Sequence, residues 1–252
     1  MRKVKEPEFN AFAEKYHSFM KTFGPHFYDE FLHFLPRQFE KALDAGCGSG
    51  DLSLLLSKYV NHVVGIDLSH SMINIAKRQK ADQQKTNMDF LVADLENLPF
   101  REQSFDVVVS NYTLNHTKLE VTLPGLRQLV KPGGKIIIRD LTTRFPRLDA
   151  FRFWRRLRIL WNKKRLIRSH RFRIFWQTFS FTMSSRWIDC LTSRNYRKLN
   201  PEGFRAIYHR FLPGCQLVQQ HRWETIAIWE SPGESKFGER LNHGNEPKGT
   251  SL

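Results

Sequence analysis

The feature that most narrows the fold is the run Lys41-Ala-Leu-Asp44-Ala-Gly46-Cys-Gly48-Ser-Gly50. A short apolar stretch ends there in three alternating glycines, and a helical pattern over 51–59 begins at once. A buried strand that bends through glycines straight into a helix reads as the opening of a β–α–β unit. Glycines at such a bend let backbone approach a ligand closely, and the helix start offers free N–H groups. The same bend can also be tight for packing alone, so its meaning depends on the rest of the chain.

Downstream of the bend the chain alternates regularly. Apolar runs at 62–67, 88–93, 105–111 and 135–141 read as strands, and 69–80 and 119–130 as helices; Pro132-Gly133-Gly134 reads as the turn before the fifth strand. Continuous apolar strands separated by helices predict a parallel sheet covered on both faces. Near the end, 216–220 and 224–230 read as two strands joined too closely for a crossover helix, hence an antiparallel hairpin. The expectation is a doubly wound α/β fold on a mostly parallel seven-stranded sheet. At the other end, apolar residues from Phe9 to Leu35 recur at a spacing near 3.6 and are interrupted by Gly24-Pro25, which predicts two short helices.

A chain of 252 residues with 40% hydrophobic content suits one domain, taken as 1–230. The tail 231–252, rich in Gly, Pro, Ser and charge, is expected to be disordered. No run reaches the roughly 18 apolar residues of a membrane span, and the first ten residues lack a secretory apolar core. Cys47, Cys190 and Cys215 are far apart, with no CxxC pair for metal or redox work, so the expectation is a reducing cytoplasmic setting and no metal.

Of the net charge of +15, eleven charges fall between residues 151 and 188, where there is no Asp or Glu, leaving an ordinary +4 elsewhere. Within 150–188, Ala150, Phe153, Trp154, Leu157, Leu160 and Trp161 form one helical stripe, and Phe172, Phe175, Trp176 and Phe179 a second. Two basic amphipathic helices are expected. They could dock on the sheet with solvated arginines, lie on an anionic membrane surface, or grip an RNA or a phosphorylated substrate.

Three acidic positions give the bend its chemical meaning. Asp44 ends the first strand, Asp67 the second, and Asp94 comes just after the third. The glycine spacing is GxGxG, not GxGxxG, and a carboxylate at Asp44 would repel a pyrophosphate; both details favour a cationic ligand over a dinucleotide. Asp67 can accept both hydroxyls of a ribose, or simply cap the next helix. Asp94 and Leu95 can hydrogen-bond a base edge, or form a turn.

Taken together, Leu43-Asp44-Ala-Gly46-Cys-Gly48-Ser-Gly50, Gly65-Ile-Asp67-Leu68-Ser69-His-Ser-Met72, Ala93-Asp94-Leu95-Glu96-Asn-Leu98-Pro99-Phe100, Phe105-Asp106-Val-Val-Val-Ser110-Asn111 and Leu129-Val130-Lys131-Pro132-Gly133-Gly134 resemble, in order, the class I S-adenosylmethionine-dependent methyltransferases. The nearest group is the small-molecule one that includes enzymes of ubiquinone and menaquinone biosynthesis. The resemblance implies S-adenosylmethionine as cofactor. Gly46, Gly48 and Gly50 would line its methionine end, Asp67 would hold the ribose, Leu68 and Met72 would pack on the adenine, and Asp94 and Leu95 would bind its edge. The Asn111 carbonyl would face the amino-acid moiety. His116, just past the fourth strand, is the candidate general base if the acceptor is a phenol-like oxygen. Asn111-Tyr112-Thr113-Leu114 departs from the DPPY or NPPY pattern of adenine amino-methylation. A small-molecule acceptor, apolar or quinone-like, is the leading expectation; an RNA methyltransferase, a non-catalytic cofactor binder and an NAD-dependent oxidoreductase are the alternatives.

Overall fold

A computed structural model describes residues 13–23, 25–36, 39–142, 199–221 and 224–233. The basic segment 150–188, most of the tail and the first residues of the N-terminal pattern lie outside them. In chain order the elements are α1 (Ala13–Phe23), a 3-10 turn (Pro25–Tyr28), α2 (Asp29–Phe34), β1 (Lys41–Ala45), α3 (Asp51–Leu56), β2 (His62–Asp67), α4 (His70–Asp82), β3 (Met88–Val92), β4 (Phe105–Asn111), a 3-10 turn (Leu114–His116), α5 (Leu119–Leu129), β5 (Val130–Leu141), α6 (Pro201–Phe211), β6 (Gln216–His221) and β7 (Glu224–Glu230).

The strands form one seven-stranded sheet in the order β3-β2-β1-β4-β5-β7-β6. Pairings are parallel from β3 to β5, and β7 is antiparallel to both β5 and β6. This is the doubly wound sheet with a terminal hairpin that the strand pattern predicts. Its strand order reverses between β1 and β4, which makes the carboxyl ends of those two strands the crevice where such sheets bind ligands.

Side chains alternate across the sheet, so each strand feeds two cores. Leu43, Val64, Val108, Ile136 and Ile138 pack against Leu119, Leu123 and Leu126 of α5 and Phe204 and Tyr208 of α6. Ala42, Val63, Val107, Val109 and Ile137 pack on the other face against Leu52, Leu55 and Leu56 of α3, Ile73 and Ala76 of α4, and Met20 and Phe31 of the N-terminal helices. With β-branched residues buried on both faces, the central strands must be continuous apolar runs.

Two details differ from the sequence reading. Pro132-Gly133-Gly134 lies within β5 and does not precede it. Val130 already pairs with Phe105, and the register then jumps so that Lys135 pairs with Val107. The excursion is anchored by Ser231 N–H donating to Gly134 O at 2.8 Å and Gly133 N–H to Ser231 O at 3.2 Å. The second difference is α6, a helix absent from the sequence expectations. Asn200 caps it by accepting from Gly203 N–H, Pro201 opens it, and Phe204 and Tyr208 bury its inner face with stacked rings 3.9 Å apart.

The Tyr208 hydroxyl is buried and has no hydrogen-bond partner among the described residues. Leaving a buried hydroxyl unmatched costs about 1–3 kcal/mol of desolvation. Tyr208→Phe is therefore expected to unfold in urea at the same or a higher midpoint, with stability unchanged or raised by about 1 kcal/mol. A lower midpoint would show that the hydroxyl has a partner.

Candidate cofactor site

The bend after β1 is built from backbone constraints. Gly46 N–H and Cys47 N–H both donate to Ile66 O at 2.8 Å, which folds the turn against the end of β2. Gly46, Gly48 and Gly50 all have positive φ, at +79°, +53° and +86°. Their surroundings differ. A Cβ on Gly46 would lie 2.1–2.6 Å from the Thr113 side chain, and one on Gly50 would lie 2.9 Å from the Phe90 ring and 3.0 Å from Ala76. Those two glycines are required by packing as well as by conformation. A Cβ on Gly48 would meet only the Tyr16 ring, at an ordinary 3.7 Å. Gly48 is thus where the turn presents bare backbone to the crevice, with α1 lying over it through Tyr16.

Asp67, at the end of β2, is the pivot of the site. Its Oδ2 accepts from Gly48 N–H at 3.0 Å and its Oδ1 from Ser69 N–H at 2.9 Å. With Leu68 N–H as a further backbone donor, the carboxylate still has acceptor capacity for a ligand hydroxyl. The alternative reading of Asp67 as a helix cap does not hold: Ser69 caps α4, its Oγ accepting from Met72 N–H at 3.2 Å. Burial raises the Asp67 pKa above its usual value, against the pull of its backbone hydrogen bonds.

Asp44 is buried in β1 just before the turn. It is 1% exposed, and its Oδ2 accepts from Ser53 Oγ at 2.6 Å. Burial pushes its pKa up to about 7, with Asp67 adding repulsion and Ser53 opposing. Burial also raises the neighbouring Cys47 thiol well above its ordinary range, with the two aspartates adding to the effect, so it stays protonated and inert. Asp94 forms a turn, Oδ1 accepting from Glu96 N–H at 2.8 Å, which leaves Oδ2 for another partner. The Leu95 side chain belongs to the core over α5. Met72 is buried with Ala13 and Ile75 between α1 and α4, while Leu68 is half-exposed.

Past β4 the chain strains. Tyr112 has φ +54°, its hydroxyl hydrogen-bonds Glu224, and its ring carries the Arg139 guanidinium 5.0 Å from its centroid. Arg139, 2% exposed, donates from Nε to Asn111 Oδ1 at 2.8 Å and from both terminal nitrogens to Phe27 O at 3.1 Å. The rings of Phe27 and Phe31 complete a cage around it. This contact fastens the N-terminal helices to the sheet beside the crevice. The Asn111 carbonyl accepts from Thr113 Oγ1 at 3.1 Å.

His116 lies in the 3-10 turn after β4, and burial lowers its pKa to about 4. A group with that pKa is neutral at pH 7 but a weak proton acceptor, which departs from the near-neutral base expected of it. The turn is held by Asp140 at the end of β5: its Oδ2 accepts from Asn115 N–H at 3.0 Å, and its Oδ1 from Leu141 N–H at 3.0 Å and from the Asn115 side-chain amide. Arg139 and Asp140 escaped the sequence reading. The signal was a pair of opposite charges ending the run Ile136-Ile-Ile138, where charges are buried only with dedicated partners.

Comparison with known proteins agrees with this geometry. Residues 43–138 match the family model described as a methyltransferase domain. The likeness to that family lies in this stretch of the chain. The chain is 37% identical over 117 residues to a demethylmenaquinone methyltransferase of Oceanobacillus iheyensis, covering 45% of this chain and 48% of the relative. It is 36% identical over 104 residues to a ubiquinone biosynthesis O-methyltransferase of Coxiella burnetii, covering 41% and 44%. The domain thus spans about half the length of the curated relatives it matches. In overall fold it is similar to a solved protein of Pyrococcus horikoshii (TM-score 0.57, 20% identity, covering 86% of this chain and 91% of that one). It is also similar to an S-adenosylmethionine-dependent methyltransferase of Aquifex aeolicus (TM-score 0.55, 14% identity, 85% and 97%).

The two kinds of glycine in the turn respond differently to substitution. Gly48→Ala meets only left-handed backbone strain, about 1 kcal/mol. Gly46→Ala must in addition displace Thr113, for a total of about 2–4 kcal/mol. Denaturant titration of both variants checks the order; equal losses would mean that Thr113 swings clear.

Proposed function

We propose that the chain is an S-adenosylmethionine-dependent methyltransferase acting on a small-molecule acceptor, apolar or quinone-like. The observation that carries the reading is the Asp67 carboxylate, held by backbone N–H groups at the rim of a glycine turn with acceptor capacity still available. The relatives named for demethylmenaquinone and ubiquinone biosynthesis support the acceptor class.

The donor set fits this cofactor. Two carboxylates, Asp44 and Asp67, whose hydrogen bonds come from neutral donors, suit a ligand that brings positive charge. When bound, S-adenosylmethionine supplies a methyl group already activated on a sulfonium, so the protein's task is chiefly alignment. Asp67 holds the ribose hydroxyls, and Asp94 Oδ2 with Leu95 N–H, which has no acceptor among the described residues, binds the adenine edge. Leu68 and Met72 flank the base. Gly48, between Gly46 and Gly50, gives the methionine end close access to backbone. The Asn111 carbonyl marks the amino-acid side, and Tyr16 on α1 excludes water from above the turn. His116, neutral at physiological pH, orients the acceptor and accepts a proton only weakly.

The segment 151–188 is proposed as the acceptor-side cap, touching an anionic membrane surface from which an apolar substrate enters; its aromatic stripes and eleven basic residues support this. No described helix is long and apolar enough to cross a membrane. A cytoplasmic setting accords with the widely spaced cysteines.

Calorimetric titration with S-adenosylmethionine and NAD in parallel tests the cofactor. S-adenosylmethionine is expected to bind in preference to NAD, and Asp67→Ala to weaken it about a hundredfold through loss of two charge-assisted hydrogen bonds. Preference for NAD, or an unchanged Kd in the variant, would overturn the assignment. Sedimentation with phosphatidylglycerol vesicles tests the cap: binding is expected at low ionic strength and should weaken as salt rises. Absence of binding at low salt removes the membrane reading.

A further inference from the structure

We propose that the cationic cofactor enters its site in exchange for a proton carried by Asp44. This rests on the proposed identity of the ligand as S-adenosylmethionine, and it adds that binding is coupled to proton release.

The Asp44 carboxyl has few neighbours able to balance its charge. From β2 it faces Asp67; from α3 it faces Ser53, its hydrogen-bond donor, and Asp51. Cys47 in the turn, Tyr16 on α1 and Tyr28 in the 3-10 turn are the titratable neighbours on the covering side, and burial keeps all three protonated. Beside it, β4 contributes the neutral Val109. Among the described residues, the charges acting most strongly on Asp44 are therefore negative. The guanidinium on this face of the sheet, Arg139, is committed to Asn111 and Phe27 O inside its aromatic cage.

A carboxyl only 1% exposed, with the Ser53 hydroxyl and backbone N–H as donors and two carboxylates as neighbours, keeps its proton more readily than a solvated one. Its pKa of about 7 expresses that balance. A positive charge arriving within about 4–6 Å favours the ionised form and lowers such a pKa by about 1–3 units. The acid O–H bond breaks, the proton passes to solvent buffer, and the carboxylate remains to balance the incoming cation. Linkage makes the coupling reciprocal: whatever expels a proton is itself opposed by protons. Affinity is therefore lowest in acid, rises with pH by up to about tenfold per unit, and levels off above about pH 7, once Asp44 is ionised without help.

The test is calorimetric titration of the full chain with S-adenosylmethionine between about pH 6 and pH 7, repeated in buffers of low and high ionisation enthalpy. The dependence of the observed heat on buffer enthalpy counts the protons exchanged. Between about pH 6 and pH 7 a net release of protons on binding is expected, falling as pH rises through the Asp44 pKa. Asp44→Asn should bring it near zero. Should that variant not fold, Ser53→Ala removes the hydrogen bond that favours the charged form and should carry the release to higher pH. Binding with buffer-independent heat, or a release that survives Asp44→Asn unchanged, overturns the exchange while leaving the cofactor assignment standing. Failure to bind S-adenosylmethionine at all overturns both.

Discussion

The site depends on one close approach: the turn after β1 is pulled onto the end of β2 by two N–H groups sharing the Ile66 carbonyl. That contact leaves no room for a side chain at Gly46, where Thr113 sits, or at Gly50, where Phe90 and Ala76 sit. It also brings Gly48 N–H within 3.0 Å of Asp67, so one residue's carboxylate is fixed by another strand's turn. The ligand-facing geometry is therefore a consequence of how β1, β2 and α3 pack, with little left to loop flexibility.

Around this turn the molecule buries charge on both faces of the sheet, and the two faces handle it differently. On the N-terminal side Arg139 is satisfied by carbonyl and amide oxygens and by three rings, and Asp44 by the hydroxyl and backbone N–H of Ser53. On the α5–α6 side Asp140 collects three N–H donors and stabilises the 3-10 turn that carries His116. Buried charges supported by hydrogen bonds rather than by an opposite charge are expensive, and they cluster where function needs them. Here Arg139 and Asp140 are neighbours at the carboxyl end of β5, so one dipeptide braces both walls of the crevice.

The central strands were legible because a sheet covered on both faces leaves no choice but unbroken apolar runs, and β1, β2, β4 and β5 each carry one. The glycine turn and the places of Asp44, Asp67 and Asp94 at or near strand ends were legible because each follows an apolar run. Other features depend on partners far away in sequence. The local hint for Arg139 is its place after Ile136-Ile-Ile138, but the partner that buries it, Phe27, lies 112 residues earlier. α6 did carry a local signal, Asn200-Pro201 ahead of Phe204, Ile207, Tyr208 and Phe211, but its exposed face is crowded with charge that hides the stripe. Pro132-Gly133-Gly134 looks like a turn, yet Ser231 pairs with it and keeps it within the sheet. His116 lies just past β4 as expected, but the burial that weakens it as a base is a property of the packed turn.

The buried acids also set how folding responds to pH. Asp44 and Asp140 both have pKa values raised by burial to about 7, above the value of about 3.9 in an unfolded chain. Between those limits the folded state binds more protons than the unfolded one, so stability falls as pH rises through the window. The ligand-free protein is thus least favoured near and above neutrality, where both carboxyls ionise inside it. On the proposed exchange, a cation bound against Asp44 would restore part of that loss by mass action, because the unfolded chain offers it no such site. Asp140, on the opposite face with its N–H donors already in place, gains no such relief. The two acids therefore separate by role: one is strained until a ligand arrives, and the other trades stability for the rigidity of the turn.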